Sequence, residues 1–303
     1  MKIPIISIVG ATAVGKTALS IQLANKYNAE IISIDSVQIY KKFDIGSAKI
    51  KEEEMEGVVH HLIDVLEPTQ DFSVYDFQKV AREKIEDIHS RGKLPILIGG
   101  SGYYMNAVIY DYRFVEREEN VKNISLEEML AYLESNFPDT YAALDKHNER
   151  RVMNAYNNVI SSGESTENNK TGSNVFCKYH PHVIVLDRPR EILYDRINKR
   201  VDIMLKEGLV EEVREIANEY GRELQAMSSI GYKEVLNYLD GQISQEKLAE
   251  DIAQNSRRYA KRQLTWFRNK LVDKHWYNLE ETEYSKIEED INEFLGSIFD
   301  ENK

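Results

Sequence analysis

The chain has few of the residues that mark several large protein classes. Among its 303 residues there is one cysteine, Cys177, which excludes an internal disulfide framework and a cysteine-ligated zinc site. Only 15 glycines and 6 prolines are present, which argues against a disordered or fibrous protein. No apolar run reaches the roughly 18 residues of a membrane span. We therefore expect a globular protein of the cytoplasm without membrane segments.

Positive charge is also in short supply. Lysine and arginine contribute 39 charges against 51 from aspartate and glutamate, so the formal net charge is −12. That balance speaks against a protein that coats nucleic acid over its whole surface, although it leaves room for a local basic patch. With 42% hydrophobic residues the chain can bury a sizeable core, and its length suits two domains or one domain with an insertion.

Apolar, β-branched runs alternate with helical patterns over the first part of the chain. Buried strands are predicted for residues 3–9, 29–35, 94–98 and 182–187. Helices are predicted from Thr17 and over residues 75–89. Strands that alternate with helices indicate an α/β fold, with a parallel sheet and helices on both faces. Beyond Asp187 nearly every pattern is helical, over residues 190–206, 210–220, 229–239 and 245–270.

The pattern changes between the third and fourth strands. Residues 111–181 lack a convincing strand and hold helical stretches at 126–136 and 149–160. A polar run typical of a loop follows the second stretch. We interpret residues 111–181 as a helical insertion domain, and residues 1–110 with 182–303 as an α/β core that has a helical C-terminal part.

The first strand leads into a glycine-rich phosphate-binding pattern. The residues fit G-x-x-x-x-G-K-[ST] and lie between a strand and a helix, as this motif requires. They are Gly10, Ala11, Thr12, Ala13, Val14, Gly15, Lys16 and Thr17. Backbone N–H groups would cradle a phosphate or diphosphate, Lys16 would add a positive charge, and the Thr17 hydroxyl would be a ligand for Mg²⁺. The pattern predicts a P-loop NTPase-like core and leaves open which molecule carries the phosphate.

Two further strands end on polar residues at the edge where open α/β sheets bind ligands. Asp35 follows the second strand, and Ser101 lies in a Gly-Gly-Ser-Gly run after the third. Asp35 suits a Mg²⁺ ligand, a general base for an incoming nucleophile, or a cap of the following turn. Ser101 suits a hydrogen-bond donor to a phosphate or to the reacting group. The residues alone do not choose among these roles.

One stretch is strongly basic although the whole chain is acidic. Residues 255–270 hold six cations and no carboxylate, with Tyr259, Trp266 and Phe267 among them. Basic residues with aromatic neighbours suit a nucleic-acid backbone and unstacked bases. A solvated amphipathic helix with its aromatics in the core would explain the pattern equally well. Smaller basic groups occur at Arg196, Lys199 and Arg200 and at Arg150 and Arg151.

Together these segments resemble one enzyme family, the tRNA dimethylallyltransferases, from Ile5 to about Arg268. The matching motifs are GATAVGKT (10–17), DSVQIY (35–40), DIGSAK (44–49), GGSGYY (99–104), RINKRVDIMLKEGLVEEV (196–213), SIGYKE (229–234) and RRYAKRQLTWFR (257–268). DSVQIY followed by DIGSAK is highly specific to that family. The resemblance implies transfer of a dimethylallyl group from dimethylallyl diphosphate to the exocyclic amine of the adenosine 3′ to the anticodon, with release of diphosphate.

The resemblance also implies roles for individual residues. Asp35 would be the catalytic base, and Ser101 would act beside it at the reacting group. Diphosphate would bind the loop from Gly10 to Thr17, Ser101 and Arg200, with Mg²⁺ as the cofactor. A monomer is expected. Contacts with the tRNA anticodon stem-loop would fall on Asp35, Ser36, Val37, Gln38, Arg150, Arg151, Val152, Met153, Asn154, Ser228, Ser229, Ile230, Gly231, Tyr232, Lys233, Lys261, Arg262, Gln263, Thr265, Trp266 and Arg268.

The chain departs from the family pattern at several positions. Ser101, Val37 and Ser47 stand where the family usually has Thr, Met and Thr, which are mild changes. In the insertion, Asn154 and Asn157 replace an arginine and a glutamate of the family pattern. These two changes bear on how tightly tRNA is held and leave the chemistry unaffected.

The residues by themselves leave three alternative functions open. A small-molecule P-loop kinase would need an arginine-rich lid over its nucleotide, which the acidic helical insertion suits poorly. A nucleotide-dependent switch or tRNA-binding module would bind GTP or ATP tightly without turnover. Transfer of the same group to free adenosine monophosphate would leave the basic stretch at 261–268 without a role.

Overall fold

The computed structural model of the chain describes residues 2–110, 112, 124–162 and 179–300. Contacts between Cα atoms divide the chain into two compact units. The larger unit combines Met1–Ile109 with Lys178–Lys303, and the smaller one is Tyr110–Cys177.

The larger unit is built on a parallel sheet of six strands, in the order β3-β2-β4-β1-β5-β6. The strands are β1 (Pro4–Gly10), β2 (Ala29–Ile34), β3 (His60–His61), β4 (Leu94–Gly99), β5 (His180–Asp187) and β6 (Lys274–Asn278). Helices surround the sheet, so the predicted α/β class is confirmed. All strands point the same way, which brings their carboxyl ends to one edge.

The central strands form because their side chains are apolar and β-branched on both faces. In β1, Ile8 lies opposite Ile98 of β4 and Ile184 of β5. From Ile5 onward every residue of β1 is buried, which is the burial expected of a parallel strand covered by helices on both sides. The same core continues into the helix that follows β1, through Leu19 and its neighbours.

Eleven α-helices lie within the part of the chain that the structure describes. They are α1 (Lys16–Tyr27), α2 (Val74–Ser90), α3 (Gly102–Ile109), α4 (Leu126–Asn136), α5 (Pro138–Ala143), α6 (Glu149–Ser162), α7 (Arg190–Glu207), α8 (Leu209–Tyr220), α9 (Tyr232–Leu239), α10 (Gln245–Lys270) and α11 (Tyr284–Asp300). Local signals set several of their ends. Ser73 and Asp76 form a capping box at the start of α2, and Ser244 accepts the N–H of Lys247 at the start of α10.

The structure differs from the sequence predictions in elements that were missed and in several boundaries. The region after Asp187 is not almost wholly helical, because the polar segment β6 pairs with β5 at the edge of the sheet. The fourth predicted strand begins at His180 instead of residue 182, since His180 pairs with Pro4. Helix α9 begins at Tyr232 instead of residue 229, because Gly231 has a φ of +96° and interrupts the helix.

The smaller unit has a helical core of its own. Helices α4 and α6 pack together, and Met129, Leu133, Val152 and Val159 are buried between them. Helix α4 begins with a capping box of Ser125 and Glu128. The helical interpretation of the insertion agrees with these elements, apart from α5, which the sequence analysis did not predict.

Among the described residues, no helix is both long enough and apolar enough to cross a membrane.

Candidate active site

The carboxyl ends of four strands bring predicted site residues, and one residue that was not predicted, to one edge of the sheet. Strand β1 ends at Gly10, β2 leads to Asp35, β4 leads to Ser101, and β5 leads to Arg188. This is the edge at which open α/β sheets bind ligands. The phosphate loop, residues 10–17, lies there between β1 and α1.

The backbone of the phosphate loop has a conformation that few side chains allow. Gly15 has a φ of +115°, and Ala13 has a φ of +63° although it is not a glycine. Gly10 packs so closely that a Cβ atom there would lie 2.6 Å from the carbonyl oxygen of Leu186. Helix α1 starts at Lys16, so its free N–H groups lie at the end of the loop.

Cationic side chains fix the carbonyl groups of the phosphate loop. The Lys16 ammonium donates to the carbonyl oxygens of Gly10 at 3.0 Å and Ala11 at 2.9 Å. The guanidinium groups of two arginines donate to the next carbonyls, Arg196 to Ala13 and Arg188 to Val14, each at 2.8 Å. Four carbonyl groups of the loop therefore accept from three cations, which lie around the loop. The arrangement suits an anion.

Arg200 lies against the same loop. Its guanidinium donates to the Thr12 hydroxyl at 3.2 Å. Burial, followed by the positive charge of Arg200, lowers the pKa of Lys16 to about 7. Burial, followed by the charge of Arg196, also lowers the pKa of Arg200. Three cations held this close repel one another, and a bound anion would relieve that repulsion.

Asp35 is held rigidly at the end of β2. Its Oδ1 accepts the backbone N–H groups of Val37 at 2.8 Å and Gln38 at 3.2 Å. Its charge partly offsets the lowering of the pKa values of Lys16 and Arg200, which places all three groups in one electrostatic environment. Oδ2 makes no hydrogen bond to any described residue, and this oxygen is therefore the one open to a ligand.

Helix α10 is tied directly to the phosphate loop. The Gln263 carboxamide accepts the Thr12 N–H through Oε1 at 3.0 Å and donates to the Gly100 carbonyl through Nε2 at 2.9 Å. A Cβ atom on Gly100 would lie 2.2 Å from that nitrogen, so the glycine makes room for the bridge. Next to it, burial followed by the charge of Asp35 raises the pKa of Tyr259 to about 12.

The outer face of α10 carries a groove of about 590 Å³. Its lining residues are Arg258, Lys261, Arg262, Thr265, Trp266, Asn269 and Lys270. The Trp266 ring packs on Gly102, where a Cβ atom would lie 2.1 Å from the indole, and meets the Tyr103 ring edge-on. Its Nε1 is buried without a hydrogen-bond partner among the described residues. A basic groove with an aromatic floor suits a phosphodiester chain and a base.

The other residues predicted to contact tRNA lie in several places. Ser36, Ser228, Lys233 and Arg268 are exposed, whereas Val37, Gln38, Ser229 and Ile230 are half-buried. Gly231 and Tyr232 are buried, and so is Val152, which lies in the core of the smaller unit. Arg151 and Met153 are exposed on α6, and Asn154 is half-buried there. The side chain of Arg150 lies outside the described residues.

Two residues of this region are absent from the sequence predictions. Arg188, the first residue after β5, could have been found as a cation at the carboxyl end of a strand. Glu212 accepts three backbone N–H groups from the segment after β2, and no local pattern indicates such a contact.

The chemistry of the loop fits a Mg²⁺ bound together with a phosphate group. The described residues contain no group of three or more His, Cys, Asp or Glu that would hold a metal by itself. Thr17 is exposed at the start of α1. Mg²⁺ is usually bound through one or two protein oxygens together with water and substrate phosphates. A single hydroxyl next to the phosphate loop is compatible with that kind of binding.

Known proteins resemble this chain over nearly its whole length. The family profile described as IPP transferase matches residues 38–270. A tRNA dimethylallyltransferase of Bacillus licheniformis is 46% identical in an alignment of length 288 that covers 92% of this chain and 91% of that protein. A tRNA dimethylallyltransferase of Bacillus subtilis is 46% identical in an alignment of length 280 that covers 89% of this chain and 89% of that protein.

Solved structures agree with these sequence matches. The crystal structure of a tRNA delta(2)-isopentenylpyrophosphate transferase from Staphylococcus epidermidis superposes with a TM-score of 0.75 at 39% identity, covering 98% of this chain and 99% of that one. A eukaryotic dimethylallyltransferase acting on tRNA gives a TM-score of 0.83 at 28% identity, covering 91% of this chain and 74% of that one.

Proposed function

The chain belongs to the IPP transferase family, and on that premise we propose that it transfers a dimethylallyl group from dimethylallyl diphosphate to tRNA. The acceptor is the N6 amine of the adenosine on the 3′ side of the anticodon, and diphosphate is released. We also propose that the protein is a monomer. The RNA substrate supports an enzyme that acts in the cytoplasm.

One observation carries the proposal: a fixed carboxylate faces a cationic phosphate loop. Asp35 Oδ1 is occupied by two backbone N–H groups, while its charge acts on Lys16 and Arg200. When a nucleophile displaces a leaving group in one active site, the general base that deprotonates the nucleophile must lie close to the site of the leaving group. A kinase can also use a carboxylate, to accept the proton of a hydroxyl group, so it is the family match that favours transfer to tRNA over phosphoryl transfer.

The reaction balances over these groups. The amine nitrogen forms a bond to the terminal allylic carbon, the carbon–oxygen bond to diphosphate breaks, and Asp35 Oδ2 takes the proton that the amine loses. Lys16, Arg200 and the loop N–H groups stabilise the negative charge that develops on the leaving oxygen. Mg²⁺ held by Thr17 would neutralise part of the same charge. Ser101, before α3, is proposed to hydrogen-bond at the reacting group.

The tRNA is proposed to bind along α10. Lys261, Arg262 and their neighbours in the groove supply positive charge, and the Trp266 ring supplies a surface for a base that has left its stack. The exposed side chains at Ser36 and Lys233 are proposed to extend this contact. Gln263 and Tyr232 are buried, so we assign them to holding the site together instead of touching RNA.

The test is a transfer assay with an Asp35→Asn variant. Unmodified tRNA, Mg²⁺ and radiolabelled dimethylallyl diphosphate are incubated with the protein, and label in tRNA is counted. Asparagine keeps the shape and the two hydrogen bonds but cannot accept the proton, so we expect kcat to fall by about a hundredfold or more. Asp87→Asn is the control, because Asp87 is an exposed residue of α2 that pairs with Arg91 at 3.2 Å.

Two outcomes would contradict the proposal. Label that appears in free adenosine monophosphate and not in tRNA would indicate a different acceptor. ATP consumed on a small acceptor, without label in tRNA, would indicate a kinase. An Asp35→Asn variant as active as wild type would remove Asp35 from the role of base and leave the transfer itself standing.

A further inference from the structure

A carboxylate on α8 is wrapped by the backbone that follows β2. Glu212 accepts the N–H groups of Asp44 at 3.1 Å, Ile45 at 2.6 Å and Gly46 at 3.1 Å. It also accepts the Tyr232 hydroxyl at 2.8 Å. Hydrogen bonds to a charged acceptor are stronger than those between neutral groups. We call residues 43–49, which Glu212 holds, the anchored loop.

Close packing against Tyr232 also fixes the position of the anchored loop relative to Glu212. A Cβ atom on Gly46 would lie 2.5 Å from the ring of Tyr232, and the Phe43 ring lies 4.9 Å from the same ring. Tyr232 is fully buried. Burial, followed by the charge of Glu212, raises the pKa of its hydroxyl, which therefore stays protonated and donates.

The other side of the anchored loop reaches the proposed base. The Gln38 carboxamide donates to the carbonyl oxygens of Ser47 at 3.1 Å and Ala48 at 3.3 Å. Its Oε1 accepts the Ser33 hydroxyl at 3.2 Å. The backbone N–H of the same Gln38 donates to Asp35 Oδ1 at 3.2 Å. Hydrogen bonds, connected through the backbone of residues 44–48 and through Gln38 itself, therefore join Glu212 to Asp35.

We propose that Glu212 is a positioning residue that sets the orientation of the Asp35 carboxylate through the anchored loop and Gln38. Proton transfer depends on the placement of the base to a fraction of an ångström, and such placement comes from the groups that support it. The inference rests on the proposed transfer reaction. It also gives the buried Tyr232 a role, because its hydroxyl is the fourth hydrogen-bond donor to Glu212.

The test is a double-mutant cycle between Glu212→Gln and Asp35→Asn. A carboxamide nitrogen cannot accept an N–H, so Glu212→Gln leaves part of the anchored loop unpaired. We expect kcat for transfer to fall about tenfold or more, with the KM for dimethylallyl diphosphate unchanged within about twofold. In the Asp35→Asn background the same change should have no further effect, because residues that act as one unit are not additive.

The matched control is Glu211→Gln on the same helix, where an exposed carboxylate pairs with Arg214 at 3.4 Å. A Glu212→Gln variant as active as Glu211→Gln would overturn the inference, and so would equal losses in both backgrounds. If Glu212→Gln lowers the melting temperature too far for assay, the Tyr232→Phe variant is tested in its place. It removes one of the four donors and keeps the ring, so a wild-type kcat would overturn the inference and a loss in kcat alone would support it. Wild-type protein that labels no tRNA would instead refute the proposed function.

Discussion

At the scale of single residues, Lys16 is the group whose ionisation most directly affects ligand binding. Burial and then the charge of Arg200 lower its pKa to about 7, so part of the free protein is uncharged at this side chain at neutral pH. A bound diphosphate favours the charged ammonium. We therefore expect binding to be accompanied by proton uptake at pH 7 and the affinity to fall as the pH rises above 7.

Titration calorimetry in buffers of different ionisation enthalpy measures this uptake. Lys16→Met is the comparison, because it removes the titrating group and leaves only the protonation of the diphosphate itself. Equal proton uptake by both proteins would show that Lys16 keeps its charge in the free protein.

His182 gives the fold a sensitivity to acid. It lies in β5, stacked on His275 at 4.4 Å between ring centroids, and burial followed by the charge of His275 lowers its pKa to about 4. The nearby Asp290 opposes that shift. The pKa of His182 in the folded protein lies below the ordinary histidine value of 6.5, so the unfolded chain binds the proton more readily. The contribution of neutral His182 to the free energy of unfolding is therefore complete above pH 6.5 and decreases as the pH drops towards 4.

The expected loss reaches at most about 3 kcal/mol of unfolding free energy. Urea unfolding at pH 7.5, 6 and 5 tests it, with His182→Leu as the variant that lacks the titrating group. The wild-type protein should lose stability faster than the variant over this range. Parallel curves would place the acid sensitivity elsewhere.

At the scale of elements, α10 connects the basic groove to the phosphate loop through Gln263. Gln263→Leu keeps the volume and removes both hydrogen bonds, which leaves the Thr12 N–H and the Gly100 carbonyl unpaired. We expect the KM for dimethylallyl diphosphate to rise about tenfold, because the loop loses its support. Steady-state transfer kinetics measure this, and Gln245→Leu in the exposed first turn of α10 is the control. A change confined to the KM for tRNA would mean that Gln263 contacts RNA.

The elements that the sequence predicted best are those with a strong local signal. β1, β2 and β4 are apolar runs and were found nearly to the residue, and the phosphate loop follows from its motif. β6 (Lys274–Asn278) was missed because Lys, His and Asn do not form an apolar run, and the segment becomes a strand only by pairing with β5.

The same difference between local and long-range information explains which site residues could be predicted from the sequence. Lys16 belongs to the motif between β1 and α1, and Asp35 directly follows β2, so their positions are local information. The contacts of Glu212 with residues 44–46 and of Gln263 with Thr12 join distant parts of the chain. Side-chain hydrogen bonds between distant segments leave no periodic trace in a sequence, and only the folded structure reveals them.

At the scale of the whole molecule, an acidic protein has to attract a polyanion. The net charge is −12, so long-range forces oppose tRNA, and the basic groove must act at short range. Each cation that contacts a phosphate makes binding more dependent on salt. Lys261→Ala should lower the slope of log Kd for tRNA against log salt by about 0.7 to 0.9.

Filter binding over a range of potassium chloride concentrations measures that slope. Lys247→Ala is the control, because Lys247 lies on the same helix and its ammonium pairs with Glu250 at 3.0 Å and Asp251 at 2.9 Å. Equal slopes for Lys261→Ala and wild type would exclude Lys261 from phosphate contact.

The cations that bond to the carbonyl groups of the phosphate loop also affect the kinetics of diphosphate association. Lys16, Arg188 and Arg196 fix these peptide groups in the free protein, so little reorganisation energy remains when a diphosphate arrives. Association should then be a single step whose observed rate rises linearly with ligand concentration. A loop that had to order itself first would instead give a rate that reaches a plateau, and rapid mixing distinguishes the two.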